Sequence, residues 1–439
     1  MRRAQPQAQP GAAGHRARRV VRDLAVLVRA RHHRGRGCPR LRRAGRGDRG
    51  LLLADRDLIV LRVAEIFLKG KNRPAFFTRF VKNARRLLSD LDGVSVEERY
   101  LRAVVYHPPA LRQACIDRLG RLFGLHSMSP AVGVPTNLTA LSAAAVELAR
   151  TLPPGTTFKV DTKRRDKRFA MTSQDVSREL GAAIIAATGL PVDIHAPQRM
   201  IQVEISTEQS FVYGEVIPGP GGLPIGVSGR AALLLSGGID SPVAGWAAMR
   251  RGCLLSAIYF HSFPYTGDKT REKVLDLARI LARWQGRITV DIVHFTDAQK
   301  QLRDRSGELA VLLYRRAMMR AASILAERDG AGALFTGENL GQVASQTIAN
   351  LGVIEDAATL PVLRPLITFD KLEIIQRAEA IGTYETSILP YDDCCALFVP
   401  KHPATRARIR DLESAEAGLD VREMARTLAD GAERVIVTA

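Results

Sequence analysis

The chain has 439 residues, of which 46% are hydrophobic and 25% charged, so it can form several domains with sizeable cores. Its apolar runs are far shorter than the roughly 20 residues that a membrane helix needs, and no apolar segment typical of a secretion signal follows the first arginines. Both observations argue against a membrane or secreted protein. The formal net charge is +19, and residues 1–50 contribute most of it through 15 arginines and only two acidic residues.

Residues 1–57 are rich in Arg, Ala, Gly and Pro, which is typical of a disordered basic extension, and we assign them no function. The chain has five cysteines, an odd and scattered set without a Cys-x-x-Cys pair. We therefore expect no disulfide framework, no metal centre and a reducing cytoplasmic location. The cysteines are Cys38, Cys115, Cys253, Cys394 and Cys395.

Residues 58–110 predict a small α+β domain. The apolar pattern predicts a strand over 58–66, a helix over 76–88 and strands over 94–105. A basic turn is predicted over 69–74, before the helix. Its cations are candidate nucleic-acid contacts because they can neutralise phosphates: Lys69, Lys71 and Arg73.

Residues 111–218 predict a second unit, followed by a Gly- and Pro-rich linker over 219–229. The predicted elements are helices over 111–122 and 177–188, a strand over 157–162 and a β-hairpin over 200–217. The stretch 159–169 contains six basic and two acidic residues. It predicts an RNA-binding surface, with a solvated loop as the alternative. The candidate residues are Lys163, Arg164, Arg165, Lys167 and Arg168.

From residue 230 onward, strands and helices alternate, which predicts a doubly wound parallel sheet over 230–410. The predicted strands are 231–235, 254–260, 288–293 and 333–336, with helices over 242–251 and 271–284 and a last segment over 369–380. Ligands of such sheets bind at the carboxyl ends of the strands. Residues 236–241, 259–260 and 336–338 follow three of these strands and should meet in one crevice. Residues 411–439 predict a C-terminal tail with a helix and an apolar end.

The segment Leu233–Ser241 predicts a strand, a glycine-containing loop and the start of a helix at Pro242. Backbone N–H groups at a helix start bind anions, and glycines let the backbone approach closely. Asp240 in this loop is a candidate Mg²⁺ ligand, with a helix-capping role as the alternative. Arg315 and Arg316 are candidate phosphate clamps, although one of them is expected to be a surface charge.

Asp392–Cys395 places two adjacent cysteines between acidic residues and the basic pair Lys401 and His402. Neighbouring cations lower a thiol pKa and neighbouring carboxylates raise it. Cys394 or Cys395 is therefore a candidate nucleophile or sulfur carrier, and buried inert cysteines are the alternative.

Several segments together resemble the tRNA 4-thiouridine synthases, also called tRNA sulfurtransferases, a family also linked to thiamine thiazole synthesis. The resembling segments are Glu65–Arg73, Lys159–Phe169, Leu233–Pro242, Thr336–Thr347, Arg364–Ile367, Asp370–Glu373 and Tyr391–Pro403. The resemblance implies an α/β and α+β multidomain protein. Its parts would be an N-terminal ferredoxin-like domain, a THUMP RNA-binding domain and a C-terminal ATP pyrophosphatase domain of the PP-loop type.

The resemblance also implies site residues. Cys394, Cys395 and Asp240 would be catalytic. The implied ATP site comprises Leu233, Leu234, Ser236, Gly237, Gly238, Ser241, Ile258, Tyr259, Arg315, Gly337 and Gln346.

The implied reaction has two halves, with ATP and Mg²⁺ as cofactors. The O4 atom of the uridine at position 8 of tRNA attacks the α-phosphorus of ATP, and pyrophosphate leaves. Sulfur from a cysteine persulfide, supplied by a cysteine desulfurase, then attacks C4, and AMP leaves. A sulfur carrier protein of thiazole synthesis and a second copy of the chain are further implied partners.

One feature departs from part of the family. Some members have an additional C-terminal rhodanese domain with its own cysteine, whereas this sequence continues for only about 36 residues after Pro403, without a cysteine. The resemblance therefore leaves open which thiol resolves the persulfide and whether the protein serves thiazole synthesis.

Two other functions compete with thiolation. Another PP-loop enzyme would use the same ATP chemistry for amidation of RNA, and a non-catalytic RNA-binding module would use none. The vicinal cysteines favour sulfur over nitrogen, and the intact Ser-Gly-Gly-Ile-Asp-Ser loop favours an enzyme.

Overall fold

A computed structural model describes residues 57–63, 65–99, 102–303, 307–391, 400 and 402–439. The predicted extension therefore lies outside the described residues except for Asp57. The described chain contains two sheets, one predominantly antiparallel and one predominantly parallel. The predicted combination of α+β and α/β architecture is confirmed.

The first sheet has the strand order β2-β3-β1-β4-β7-β6-β5, with β8 paired to β4. All its pairs are antiparallel except β5 with β6. Strand β4 pairs with β1 through its first part and with β7 through its last three residues, so it joins the two halves of the sheet. The strands are β1 Asp57–Val63, β2 Ser95–Arg99, β3 Arg102–His107, β4 Leu125–Val134, β5 Phe158–Arg164, β6 Arg199–Ile205, β7 Ser210–Tyr213 and β8 Ile217–Pro218.

Four helices accompany this sheet. They are α1 Arg73–Leu87, α2 Arg112–Leu119, α3 Leu138–Arg150 and α4 Ser173–Thr188. In α1 the apolar residues Phe77, Phe80, Val81 and Ala84 recur at helical spacing, and all four are buried in the core beneath β1 and β3.

Two local predictions for the first half of the sheet were wrong. The first strand ends at Val63, not at residue 66. The predicted basic turn is a 3-10 helix, Glu65–Asn72, that leads directly into α1. A kink at Gly70, with a φ of 51°, divides this 3-10 helix, and Pro74 fits the first turn of α1 because that turn needs no N–H from it.

The second half of the sheet contains the predicted hairpin, because β6 and β7 pair antiparallel. The helix that we predicted over 177–188 begins earlier, at Ser173. Thr172 and Asp175 form a capping box there, and Gly189 ends the helix in the left-handed conformation. Helix α3 was not predicted, although Asn137 caps its first turn.

The second sheet has the order β13-β12-β9-β10-β11-β14. Its first five strands are parallel, and β14 is antiparallel to β11. The predicted parallel sheet is confirmed. Residues 411–439, which we had set apart as a tail, contribute two helices and the edge strand β14 to this domain. The strands are β9 Arg230–Leu234, β10 Leu254–His261, β11 Arg287–His294, β12 Leu334–Phe335, β13 Val362–Leu363 and β14 Glu433–Thr438.

Helices cover both faces of the second sheet and enclose two apolar cores. They are α5 Asp240–Arg250, α6 Asp268–Gln285, α7 Thr296–Arg303, α8 Ala310–Arg328, α9 Ile348–Glu355, α10 Lys371–Ile381, α11 Tyr384–Ser387, α12 Ile409–Glu416 and α13 Val421–Asp430. Short 3-10 helices are Pro109–Leu111, Gly307–Leu309 and Ala344–Gln346.

Direct contacts join the first half of the first sheet to the second domain. The Asn83 side chain donates to the Ile225 carbonyl at 3.1 Å, and the Arg86 guanidinium donates to the Trp284 carbonyl at 3.1 Å. The ring of Phe123 stacks on Trp284 with a centroid distance of 4.7 Å. This interface, which we call the domain seam, combines apolar packing with directed hydrogen bonds.

Candidate active site

The site lies where the connections of the second sheet change direction. From β9 the chain continues to β10 on one side, whereas β12 pairs with the other side of β9. Such a switch point leaves a crevice at the carboxyl ends of the two central strands. A cavity of about 210 Å³ lies there, lined by the ends of β9, β10 and β12 and by α8. The predicted convergence of three strand ends is confirmed.

One wall of the cavity is the loop Ser236–Ser241. The Ser236 backbone N–H donates to the Ser241 hydroxyl at 2.9 Å, and the Gly238 N–H donates to the Ser236 hydroxyl at 3.3 Å. Helix α5 begins at Asp240, two residues before the predicted start, and Ile239 supplies no side-chain cap. An uncapped helix N-terminus beside a cavity favours a bound anion.

Gly337, after β12, makes a close approach to this loop. A Cβ atom placed there would lie 2.6 Å from the Ser241 nitrogen and 2.7 Å from the Asp240 carbonyl carbon. These distances are too short for any side chain, so only glycine lets β12 and the start of α5 lie together. The contact fixes the side of the cavity that the Ser236–Ser241 loop forms.

Asp240 is held by two partners from later in the chain. The Lys371 ammonium lies 2.6 Å from one carboxylate oxygen, and the Gln342 amide donates to the other at 3.1 Å. Lys371 is the first residue of α10, and Asp370 caps that helix. The arrangement places an ammonium and a carboxylate together beside the anion-binding loop.

The buried carboxylate of Glu338 lines the cavity on the side opposite the Ser236–Ser241 loop. It pairs with Arg315, accepts from Arg364 Nε at 2.7 Å and accepts from the Thr336 hydroxyl at 3.0 Å. Burial raises the pKa of Glu338, but the charges of Arg315 and Arg364 outweigh burial and lower this pKa below its usual value. The carboxylate is therefore ionised and keeps Arg315 beside the cavity.

Nine of the eleven predicted ATP residues line the cavity. They are Leu234, Ser236, Gly238, Ser241, Ile258, Tyr259, Arg315, Gly337 and Gln346. Leu233 is fully buried in the core of the sheet instead, and Gly237 lies within the loop. The Oε1 atom of Gln346 is buried without a hydrogen-bond partner in the described part of the protein, so it offers an unused acceptor at the cavity.

Arg316 does not lie at the cavity. Its guanidinium is buried and pairs with Glu416 at 3.0 Å and Asp356 at 2.9 Å. Adjacent helical residues point in different directions, so only Arg315 can serve as a phosphate clamp. The expectation that Arg316 would otherwise be a surface charge was wrong, because it anchors α12 to α8.

Cys394 and Cys395 lie outside the described residues, and the residues before and after them are anchored to the second domain. Before them, the Ser387 hydroxyl donates to the Gly238 carbonyl at 3.4 Å, and the Lys273 ammonium donates to the Leu389 carbonyl at 2.8 Å. After them, the Ala404 N–H donates to the Glu308 carbonyl at 3.0 Å. One flank is thus attached directly to the phosphate loop.

The basic residues predicted to bind RNA form two groups. One group lies at the 3-10 helix Glu65–Asn72 and the start of α1, and the other lies at the end of β5 and in the loop that follows it. Arg164 donates to the carbonyls of Phe169 and Met171 at 3.0 and 2.5 Å, so it shapes the loop after β5. Arg168 forms a bidentate pair with Asp166, and this hydrogen bonding lowers the pKa of Asp166 to about 2. The other candidates are Lys69, half-buried Arg73, and the exposed residues Lys71, Lys163, Arg165 and Lys167.

Sequence reasoning placed Glu338 at the crevice as part of 336–338 but gave it no specific role, and it assigned no role to Lys371, Gln342 and Arg364. Arg364 directly follows β13, a strand of only two residues that the apolar pattern does not reveal. Had β13 been recognised, the strand-end rule would have pointed to Arg364. Lys371 lies 131 residues from Asp240, so no local spacing could join them.

The described residues lack two features, a metal-binding cluster and a membrane-spanning helix. They contain no cluster of three His, Cys, Asp or Glu side chains that could hold a metal ion. They also contain no helix with the length and apolar character needed to span a membrane.

The fold and cavity define a nucleotide-binding enzyme domain of the ATP pyrophosphatase type, joined to an RNA-binding module. Family models agree with this class. Residues 58–129 match the ThiI ferredoxin-like domain, residues 135–215 match the THUMP domain, and residues 226–421 match the Thiamine biosynthesis protein (ThiI) family. The three predicted domain types are confirmed, while the exact boundaries stay predictions.

The chain belongs to the tRNA sulfurtransferase family. It is 47% identical to the probable tRNA sulfurtransferase of Moorella thermoacetica over 368 residues, covering 83% of this chain and 94% of that protein. It is 42% identical to the Staphylococcus aureus (strain MSSA476) protein of the same description, covering 87% and 95%. The chain is also similar to the protein in a crystal structure of a 4-thiouridine synthetase–RNA complex with bound ATP. The two chains are 36% identical, the match covers 87% of this chain and all of the other, and the TM-score is 0.81.

Proposed function

We propose that the chain is an ATP-dependent tRNA sulfurtransferase that forms 4-thiouridine. One observation supports this most directly. The cavity combines the uncapped start of α5, the Ser236–Ser241 loop and the Asp240–Lys371 pair, and it belongs to a protein with a THUMP domain. Relatives that are 47% and 42% identical are probable tRNA sulfurtransferases, and a similar crystal structure contains RNA and ATP.

In the first half of the reaction, the uncapped start of α5, at the end of the Ser236–Ser241 loop, would bind the phosphates of ATP through its backbone N–H groups. Arg315 would reach them from the opposite wall, and Lys371 would offer an ammonium beside the loop. The uracil O4 attacks the α-phosphorus, the bond to pyrophosphate breaks, and the nucleotide becomes a leaving group at C4. Fixed N–H groups and cations stabilise the charge that develops on the phosphates.

The proposal includes a Mg²⁺ ion at Asp240. Lys371 and Gln342 each hold one oxygen of this carboxylate, so the ion would replace one of these two contacts. Magnesium commonly binds proteins through one or two carboxylates plus substrate phosphates, and Asp240 supplies one such carboxylate beside the loop. The described residues contain no larger ligand cluster, so phosphate oxygens would complete the coordination. When bound, the ion would neutralise charge on the departing pyrophosphate.

In the second half, Cys394 or Cys395 would receive sulfur as a persulfide from a cysteine desulfurase. The terminal sulfur attacks C4 of the activated uracil, and AMP leaves with the former O4 oxygen. A second thiolate then attacks the cysteine sulfur of the resulting enzyme–S–S–uracil link, so that the S–S bond breaks and 4-thiouridine leaves. The disulfide formed in this step is reduced by an external thiol before the next turnover. The hydrogen bond from Ser387 to the Gly238 carbonyl supports this assignment. Ser387 lies seven residues before Cys394, so the bond attaches the chain before the cysteines to the Ser236–Ser241 loop.

The same proposal includes several narrower elements: uridine 8 as the target, a cytoplasmic location, and a second copy of the chain as a partner. A role with the sulfur carrier protein of thiazole synthesis is a separate prediction. The amidation alternative would use the same ATP cavity, and it gives the vicinal cysteines no task.

The test combines full-length protein, ATP, Mg²⁺, unmodified tRNA and a sulfide source. We expect AMP, pyrophosphate and 4-thiouridine in equal amounts, measured by chromatography and by mass spectrometry of tRNA nucleosides. Asp240→Ala should lower turnover by about 10²- to 10³-fold, comparable with the loss of one transition-state contact, and should leave tRNA affinity unchanged.

The matched control for Asp240→Ala is Asp276→Ala, which removes an exposed carboxylate from α6 and should keep full activity. Absence of AMP in the wild-type reaction would contradict the proposal. In a parallel reaction with ammonium in place of the sulfide source, AMP formation with an amidated nucleoside would favour the alternative enzyme instead.

A further inference from the structure

Three arginines surround one buried glutamate on the side of the first sheet opposite α1. We call Arg62, Arg102, Arg165 and Glu204 the arginine cluster. Arg62 is on β1, Arg102 on β3, Glu204 on β6, and Arg165 directly follows β5. Arg102 contacts Glu204 closely, Arg62 Nε lies 3.4 Å from it, and Arg165 Nε lies 3.7 Å from it. The cluster therefore joins the two halves of the sheet.

Donors outnumber acceptors in this cluster. Three guanidinium groups carry about fifteen N–H donors, whereas one carboxylate offers about four lone-pair positions. The Tyr213 hydroxyl already occupies one of these positions at 2.7 Å. Ser129 accepts one further bond from Arg62 at 3.0 Å, and Arg62 Nη2 is buried with no partner in the described part of the chain. Glu204 Oε2 also has no hydrogen-bond partner among the described residues, although Arg102 and Arg165 pair with it by charge. The guanidinium donors outnumber the acceptors even with this oxygen counted.

The charges are also unequal. Three cations share one anion, in a place where Glu204 and Arg102 have only 4% and 9% of their side chains exposed. Burial, followed by the charges of Arg165 and Arg62, lowers the pKa of Arg102 to about 9. Burial is the largest cause of this lowered pKa, and the charges of Arg165 and Arg62 add a smaller repulsion between the cations of the cluster. An anion placed there would relieve it.

Solvent reaches the cluster through Arg165, whose side chain is 55% exposed. Arg165 lies in the basic loop after β5, next to Lys167 and Arg168, which extend the positive surface outward. Arg165 is therefore the member of the cluster that a ligand can contact from this loop, with the more buried Arg62 and Arg102 beside it.

We propose that the arginine cluster is a phosphate-binding site that holds one backbone phosphate of the RNA substrate. This inference rests on the proposed tRNA-modifying function and adds a particular contact to it. Guanidinium groups bind phosphate in a bidentate manner, which matches the unused donors of Arg62 and Arg165. A phosphate contact of this kind positions RNA without reading its sequence.

The test measures binding of unmodified tRNA to full-length protein by fluorescence anisotropy over a series of salt concentrations. Arg165→Ala should weaken binding about tenfold at low salt and reduce the slope of log K against log salt by about one. Arg165→Lys should keep the slope but not the full affinity, because an ammonium does not bind phosphate in a bidentate manner.

The matched control is Arg178→Ala, an exposed arginine on α4 whose side chain is 76% exposed and pairs with Asp175. A second measurement uses inorganic phosphate as the probe, without RNA. Phosphate should raise the unfolding temperature of the wild type and of Arg178→Ala more than that of Arg165→Ala. If Arg165→Ala and Arg178→Ala behave alike in both measurements, the inference is wrong.

The outcomes separate this inference from the function on which it rests. Wild-type protein that neither binds nor thiolates tRNA would overturn the proposed function. Wild-type protein that does both, with unchanged binding in Arg165→Ala, would overturn the phosphate site alone. A loss of phosphate stabilisation without any loss of RNA affinity would likewise contradict an RNA phosphate and point to a different anionic ligand, such as an acidic peptide.

Discussion

The cavity of the second sheet and the basic loop of the first sheet hold their charges differently. In the cavity, Glu338 is 4% exposed and Arg364 is 11% exposed, and they contact each other directly. The side chain of Lys163, near the end of β5, is 62% exposed, and that of Arg168, on the loop that follows, is 75% exposed. The charges of the proposed ATP site are thus fixed by buried partners, whereas the charges of the proposed RNA-binding surface are left largely in solvent. Substitutions in the two regions should therefore affect different measured quantities.

The largest contrast is expected from the cysteine pair. Replacing Cys394 and Cys395 by Ser should abolish thiolation with a persulfide donor, because the hydroxyl cannot carry sulfane sulfur, while tRNA affinity stays unchanged. Nucleoside mass spectrometry and a binding assay measure the two effects. Cys253→Ser is the control, since burial raises the pKa of that thiol and keeps it protonated. Full thiolation by the double variant would remove both residues from the mechanism.

A smaller loss is expected from Gly337→Ala. The new methyl group must displace the start of α5, so kcat/KM for ATP should fall about 10²-fold, and stability should fall by about 1 to 3 kcal/mol. Steady-state kinetics and thermal unfolding measure both effects. Gly332→Ala is the matched control because no atom lies within 4 Å of its added Cβ. Equal behaviour of the two variants would mean that the close approach does not shape the site.

The ion pairs of Glu338 predict a pH dependence of stability. Its pKa is lowered in the folded protein, so the stabilisation is complete above the ordinary value of about 4.5 and is lost as pH falls through the folded-state pKa. Glu338→Gln should lower the free energy of unfolding by about 3 kcal/mol at pH 7, and the difference from wild type should shrink below about pH 4.5.

Urea unfolding at several pH values tests this prediction for Glu338. Glu147→Gln is the surface control, because Glu147 pairs with Arg150 in solvent, and its effect should stay below about 1 kcal/mol at every pH. A difference between wild type and Glu338→Gln that is independent of pH would exclude the charge of Glu338 as its cause.

The smallest effect is expected on the RNA-facing side. Lys167→Ala should weaken tRNA binding severalfold and reduce the salt slope by about one, because it removes one exposed cation from the basic loop. The kcat at saturating tRNA should not change. Lys82→Ala, an exposed lysine on α1, serves as the control in the same titrations. A changed kcat with an unchanged salt slope would move Lys167 out of the RNA-binding surface.

Local patterns predicted the parts of the fold that depend on neighbouring residues. The strand, loop and helix around Ser236 were recognisable because apolar residues, glycines and a proline lie next to each other. Helix α4 was recognisable for the same reason, with Gly189 at its end.

The remaining parts depend on contacts between distant residues. Strand β13 has only two residues, and its pairing with β12 defines it. Arg316 looked like Arg315 in sequence, and only the packing of α12 against α8 separates their surroundings. The arginine cluster joins four segments that no local pattern could relate.

The domain seam has a consequence for how an RNA position is selected. Asn83 and Arg86 bind carbonyls of the second domain, so the exposed basic loop and the cavity belong to parts connected through directed hydrogen bonds. In an RNA bound at the proposed basic surface, only nucleotides at one fixed distance from the bound segment would reach the cavity. We expect such an enzyme to select its target uridine by the distance between this nucleotide and the bound part of the RNA. Uridines at other distances should then stay unmodified.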